Sequence, residues 1–250
     1  MTEVRRRRRG IPYAQKWFAR RASPLDFLSP VIYYQYLGRR PPLFFVKRSF
    51  TTLHIDLTRD PEAIQADMQK TVRYKVRRAD GEGLSWHAGI DPRDFAAFHD
   101  AFARGKGIEG IDMQRIASFG PALILTRVTR EGQILSQHAH IVDDQESRAR
   151  LVYSSSGRFE GVDAALVGRA NRWCHWKDML RFKERGIRTY DLGGYAPGTR
   201  DPILEGINEF KIGFGGKEIA EDHWLSPLYA LAMGAGEYRR RFAGAREARA

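Results

Sequence analysis

Apolar and polar positions alternate from Thr51 to Leu57, a period of two that predicts a strand. The period then changes. Ile64, Met68, Val72 and Val76 recur every fourth residue and form the buried stripe of a helix over 60–80. Asp60-Pro61-Glu62 starts that helix with a capping acid and a proline in the first turn. Gly81 and Gly83 end it. A short strand over 84–90 follows, then a helix over 92–103 with Phe95, Phe98 and Phe102 on one side. The centre is rich in β pattern: strands over 122–129 and 134–142 flank the turn Arg130-Glu131-Gly132, and a third strand covers 148–156. Residues 157–163 read as a loop, 164–184 as a long helix closed by Gly186, and 189–192 as a strand ending in Gly193-Gly194. A short helix carrying Asn208, Phe210 and Lys211 precedes a strand over 217–220, and the tail 225–250 reads as helical, with Arg239 to Arg241 on its surface. Consecutive antiparallel strands, then a long helix crossing to another strand, predict an α/β (α+β) domain over 51–250: a mixed, mostly antiparallel sheet flanked by helices.

Composition adds three constraints. The chain has 250 residues, 42% apolar and 12% aromatic, enough for a sizeable core and incompatible with global disorder. Cys174 is the single cysteine, which excludes intramolecular disulfides and any all-cysteine metal site and points to a reducing, cytoplasmic compartment. The net charge is +12, and residues 1–50 hold 12 Lys/Arg against 2 Asp/Glu, so the basic character belongs to that segment.

Residues 1–50 read as a basic-aromatic arm. Arg5 to Arg9 are consecutive, and later cations interleave with Trp17, Phe18, Phe27, Tyr33, Tyr34 and Tyr36. The longest apolar stretch is cut by Pro30 and falls short of the roughly 20 residues a membrane span needs. There is no signal-peptide pattern either. Three readings stay open: peripheral contact with the anionic inner face of a membrane, RNA binding through phosphates and stacking, or a solvated arm packing its aromatics on the domain.

Tyr190-Asp191-Leu192-Gly193-Gly194, a variable loop, and Phe210-Lys211-Ile212-Gly213-Phe214-Gly215-Gly216 together resemble the C-terminal signature of FemAB-type transferases, within the GNAT acyltransferase superfamily. Thr52 to Ala88 is similar to the family's strand, Arg-rich helix and short strand, and the resemblance covers residues 51–222. The Fem peptidoglycan enzymes carry two such domains, whereas this chain shows one. The resemblance implies a GNAT fold and transfer of an acyl or aminoacyl group from an activated donor to an amine, on an envelope precursor, an amino sugar or a small molecule. In that fold two neighbouring parallel strands splay apart, here 148–156 and 189–192, and their backbone groups bind the donor and polarise its carbonyl. The following helix points its N-terminus at the cleft, which suits phosphate. Acyl-CoA, aminoacyl-tRNA and an acyl carrier protein are the donors implied, with no metal.

The same resemblance ranks the residues. Lys211 matches a lysine that contacts phosphate or the developing oxyanion; the plain alternative is a surface lysine. Asp191 orients a substrate group or caps its turn, Asn208 and Phe210 flank the substrate, and Gly193, Gly194, Gly215 and Gly216 shape the backbone. Arg158 to Asp163 follows the acyl-CoA loop pattern until Asp163, where a carboxylate would repel pyrophosphate; Arg158 and Gly161 are the donor-binding candidates. His138 and His140 alternate on one strand and share a side, as a general base, a substrate contact or packing. A metal site there would need a third ligand, and none stands at suitable spacing. Tyr153 and Ser155 share a face and could touch donor or leaving group. Arg73 and Arg77, one helical turn apart, could hold an anionic acceptor or form a solvated face. Trp173, His175 and Trp176 read as packing, and Cys174 has no base partner suited to nucleophilic catalysis. The reading from another class is a non-catalytic GNAT-like module that holds RNA or membrane through the arm.

Overall fold

Leu135 to Asp143 are buried without a break, so strand β7 (Gln133–Asp143) has neighbours on both edges and both faces. It lies in the second of two compact units in a computed structural model that describes residues 1–8, 10–111, 113–159 and 161–233. This unit comprises residues 55–193 and 213–216. Its strands run in the order β9 (Thr189–Gly194), β8 (Arg148–Ser156), β7, β6 (Leu123–Arg130), β5 (Ser85–Ala88). Pairing is antiparallel except between β8 and β9. Helix α3 (Pro92–Lys106) starts where the Asp91 side chain accepts from the Arg93 N–H and ends at Gly107 in the left-handed region, φ 66°. Its Phe95 packs with Ile111, Ile116, Leu125 and Ala139, which ties it and α4 (Met113–Ala117) to the sheet. Helix α5 (Ala164–Glu184) buries Leu166, Val167, Ala170, Trp173, Cys174, His175, Trp176, Asp178, Met179 and Phe182, so little of it faces water.

The single helix expected over 60–80 is two: α1 (Pro61–Asp67) and α2 (Lys70–Asp80). Met68 is extended, with ψ 142°, and the Gln69 N–H bonds the Gly213 carbonyl instead of continuing the helix. Both halves keep the four-residue stripe, which is why the pattern hides the break. The Arg73 guanidinium caps α1 by donating to the carbonyls of Gln65 and Ala66, at 3.3 and 3.1 Å.

The first unit comprises residues 1–54, 194–212 and 217–250. Its strand order is β1 (Thr2–Arg8), β2 (Ile11–Trp17), β3 (Val31–Tyr34), β10 (Lys217–Leu225), β4 (Val46–Asp56). The N-terminal segment, read from sequence as an arm, is therefore strand-forming. β1 and β2 make an antiparallel hairpin from Thr2↔Trp17 to Arg8↔Ile11, and β2 pairs β3 in parallel. The arginine run masks the alternation that a strand needs, but Val4, Gln15 and Trp17 are buried while Arg5 and Arg7 face solvent. Long charged side chains on the terminal strand also discourage further pairing. β4 starts five residues before the expected strand and β10 ends five after it, because each is the other's antiparallel partner over Lys217↔His54 to Leu225↔Val46. Helices α6 (Pro202–Ile212) and α7 (Pro227–Met233) complete the unit. Residues 234–250, including Arg239 to Arg241, lie outside the described residues. Among the described residues no helix is long and apolar enough to cross a membrane.

Candidate functional site

The parallel β8–β9 ladder holds three pairs, Arg148↔Thr189, Ala149↔Tyr190 and Arg150↔Asp191. β8 then continues from Leu151 to Ser156 outside that ladder. The ladder thus stops within the strand pair at which the family resemblance implies a splay. Asp191 sits where the ladder stops, with no exposed surface. Its Oδ2 accepts from Arg148 Nη2 at 2.6 Å and its Oδ1 from the Gly193 N–H at 2.8 Å. Of its two anticipated roles, Asp191 visibly fills the turn-capping one. Gly193 has φ 76°, a conformation that glycine adopts without a Cβ penalty, so the strand can bend at that point.

The segment between β8 and α5 carries the charge. Asp163 caps α5, accepting from Ala165 N at 2.9 Å and Leu166 N at 3.1 Å. The backbone hydrogen bond from Ala165, with that from Leu166, holds its carboxyl below the usual range despite some desolvation. The first amides of the helix are thus committed to a side chain, not open to a phosphate. Cations gather nearby. α3 and α5 both pack against the turn 157–159. Burial, reinforced by the Arg158 charge, pushes down the ammonium of Lys106 and the guanidinium of Arg172. Arg158 itself is exposed and donates to Ser156 Oγ at 3.2 Å. Gly161 is exposed, at φ 71°. Sequence reasoning named Arg158 but missed Lys106 and Arg172, which only the packing of two helices brings to it.

His138 and His140 do share a side of β7, and that side faces α5, not solvent. Both side chains are wholly buried. His138 bonds Asp178 Oδ2 through Nδ1 at 2.7 Å and Asn171 Oδ1 through Nε2 at 2.8 Å. His140 Nε2 meets Tyr190 Oη at 3.0 Å, and the same hydroxyl meets His175 Nδ1 at 2.7 Å. Trp86 donates to Asp178 Oδ1 at 2.9 Å. Burial pushes His140 down to about 4, partly offset by Asp178, so it stays neutral at pH 7. Burial opposes the Asp178 carboxylate, but the His138 hydrogen bond and the neighbouring imidazoles hold it below the usual range. Burial also raises the Tyr190 hydroxyl and the Cys174 thiol. Neither His138 nor His140 is open to an amine arriving from solvent. The expected lack of a third ligand is also corrected: His138, His175 and Asp178 place ligand atoms within 4.8 Å of one another. Two of the three lie on α5, out of reach of any spacing rule applied to β7.

The remaining residues divide between packing and positioning. Tyr153 is half-buried, edge-on to His99 at 5.3 Å, with the Arg115 guanidinium 5.4 Å from its ring. Ser155 Oγ is buried with no hydrogen-bond partner among the described residues, on the stretch of β8 beyond the β9 ladder. Arg73 is engaged as the α1 cap, while Arg77 is exposed. In the first unit, Lys211 Nζ donates to the Gly194 carbonyl, joining the two halves of the signature. Asn208 adds a two-way clamp on Ala196: Oδ1 accepts from its N–H at 3.1 Å and Nδ2 donates to its carbonyl at 2.6 Å. Phe210 and Gly216 are half-buried. Gly215 has φ 78°, and a Cβ there would run into the Asp67 carbonyl at the end of α1.

No protein-family model and no curated protein sequence matches the chain. Solved structures do. FemX superposes with a TM-score of 0.61 at 14% identity, over 81% of this chain and 67% of that one. L-PGS from Bacillus licheniformis gives 0.56 at 12%, over 85% and 72%. The C-terminal domain of a lysylphosphatidylglycerol synthetase candidate from Agrobacterium fabrum gives 0.55 at 14%, over 84% and 74%. The chain shares the α/β fold of these proteins, with a mixed, mostly antiparallel sheet flanked by helices.

Proposed function

We propose that this chain transfers an acyl or aminoacyl group from an activated donor to an amine. The observation that carries the reading is the β8–β9 ladder that stops after three pairs, with the Asp191–Gly193 turn at its end. Backbone N–H groups of β8 beyond Arg150 would polarise the donor carbonyl where negative charge develops. The amine attacks that carbonyl, the C–N bond forms, and the thiolate or alkoxide of the donor leaves with its electron pair. The amine proton leaves through water, since His138 and His140 are sealed in the core. Attack is direct, because Cys174 is buried and burial raises its thiol.

Lys106, Arg158 and Arg172 would hold the phosphates of the donor, a CoA or an aminoacyl-tRNA, through side chains instead of the α5 amides that Asp163 occupies. Lys211 acts as a positioning residue that fixes Gly194. The acceptor is an amine of an envelope precursor or amino sugar. The name of the lysylphosphatidylglycerol synthetase relative adds a lipid hydroxyl as an acceptor worth including in a screen.

The test is donor binding by the purified chain: acetyl-CoA, longer acyl-CoAs, charged tRNA and uncharged tRNA, titrated at fixed moderate salt. One donor class should saturate, and Arg158→Gln with Arg172→Gln should weaken it by about tenfold or more. Lys211→Met should lower turnover with donor affinity retained. Absence of saturable binding for every donor would favour the non-catalytic module, and unchanged turnover in Lys211→Met would remove that residue from the site.

A further inference from the structure

The first unit presents an apolar tip to solvent. Leu25 and Leu28, on the 3-10 turn Pro24–Leu28, are 73% and 67% exposed. Leu43 and Phe44, in the loop before β4, are 79% and 77% exposed. The two segments touch, because the rings of Phe27 and Phe44 lie 5.4 Å apart. Isolated exposed leucines need no account, but a contiguous group does. Phe44 also holds φ 65°, the left-handed region that a bulky side chain rarely adopts. That backbone turns the ring outward, while its neighbour Phe45 packs against Ala19, Val31 and Tyr33. A strained residue aimed at water is a pointer to function.

The charge around the tip has one sign. Arg20 and Arg21 precede the turn, Arg39 and Arg40 precede the loop, and all four are exposed. The one acid between residues 18 and 50 is Asp26, and it points inward: it is buried, paired with Lys16 Nζ at 2.6 Å and bonded by the Tyr33 hydroxyl. An exposed apolar group flanked in sequence by exposed arginines matches the depth profile of an anionic bilayer, acyl chains below and phosphate headgroups above. The exposed set is led by aliphatic leucines, which insert among acyl chains but offer no flat face for a nucleobase to stack on.

We propose that the surface formed by Leu25, Leu28, Leu43 and Phe44, with Arg39 and Arg40 beside it, docks this protein on an anionic lipid bilayer. The assignment does not depend on acyl transfer, and its test reads no activity. The full chain is sedimented with phosphatidylcholine vesicles and with phosphatidylcholine vesicles containing phosphatidylglycerol. It should bind the second and be about tenfold or more weaker on the first. Leu43→Ser with Phe44→Ser, and separately Arg39→Gln with Arg40→Gln, should each cut binding to the anionic vesicles about tenfold with an unchanged circular dichroism spectrum. A nitrobenzoxadiazole label on Leu43→Cys should shift to the blue on those vesicles, because Cys174 is buried and the label reports the tip. Equal vesicle binding by the Leu43/Phe44 variant, or an unshifted label, would overturn the proposal. So would a wild-type chain that ignores vesicles and instead binds single-stranded RNA, or self-associates in sedimentation velocity, through these residues.

Discussion

The polar cluster between β7 and α5 and the apolar tip around Phe44 invert the usual placement of side chains. Inside, two histidines, an aspartate and a tyrosine have no exposed surface; outside, three leucines and a phenylalanine stand in water. The inner group is tolerated because it is wired together: Asp178 accepts from Trp86 and meets His138, while Tyr190 bridges His140 and His175. The outer group has no such internal reason. Residue type alone would assign chemistry to the histidines and packing to the leucines. Environment places the first group in the core and the second in water, where the proposed bilayer contact would use it.

The sharpest way to break this contrast is to remove the charge at the centre of the inner cluster. Asp178→Ala leaves the His138 Nδ1 and Trp86 Nε1 groups without their shared acceptor. Each buried donor left unsatisfied costs about 1–3 kcal/mol, so a loss of about 2–5 kcal/mol is expected in the free energy of urea unfolding. A cost below about 1 kcal/mol would mean the cluster contributes little to the fold and is held ready for something else.

Acid tests the same cluster more gently. His140 titrates at about 4 when folded and at 6.5 when free, so the unfolded chain binds its proton first. Stability from this residue is therefore intact above pH 6.5 and is lost as pH falls from there to about 4, by roughly 3 kcal/mol in all. His99, pushed down by burial, acts with the same sign in that window. Asp178, held below its ordinary value, adds a loss at lower pH, as the solution passes the free carboxylate range toward its folded value. Urea midpoints measured across this range should fall less steeply for His140→Gln than for the parent. Identical slopes would place the His140 ring in contact with water.

Backbone shape supplies an effect of intermediate size. Gly215→Ala meets both a left-handed φ and the Asp67 carbonyl, whereas Gly161→Ala meets the φ alone, with nothing within 4 Å of the new Cβ. The second should cost about 1–2 kcal/mol and the first clearly more, read as paired thermal midpoints. Equal costs would show that the Gly215 turn moves freely away from α1.

Much of the second unit was legible because its strands and helices follow clean periods: β6 to β8, α3, α5 and β9 all lie where alternation and four-residue stripes put them. Two kinds of feature were not. The break between α1 and α2 leaves the stripe intact, since it is made by a backbone bond to Gly213 from a distant part of the chain. β1 carries consecutive arginines where a half-buried strand would show alternation, so charge concealed its pairing with β2. At the candidate site, the glycines and Asp191 were visible through their motif, and Arg158 through its position after β8. Lys106 and Arg172 were not, because their nearness to Arg158 depends on how α3 and α5 pack. Nor does alternation on β7 say which face of the sheet α5 covers, and that decides whether His138 and His140 meet water.

The smallest expected effect is the one that completes the contrast. Leu43 is largely exposed, so Leu43→Ser removes little buried area and should change stability by no more than about 0.5 kcal/mol. Phe44→Gly exchanges a left-handed aromatic for the residue that occupies that region at ease. The relief of about 1 kcal/mol is offset by the greater freedom of glycine in the unfolded chain, leaving the sum near zero. Both variants are measured by urea unfolding beside Asp178→Ala. If either costs more than about 2 kcal/mol, the tip is a working part of the first unit's core and its exposure needs no partner. If both are neutral while the vesicle-binding measurement collapses, the residues that look like core are the ones that stability does not require, and contact with the bilayer is what their exposure serves.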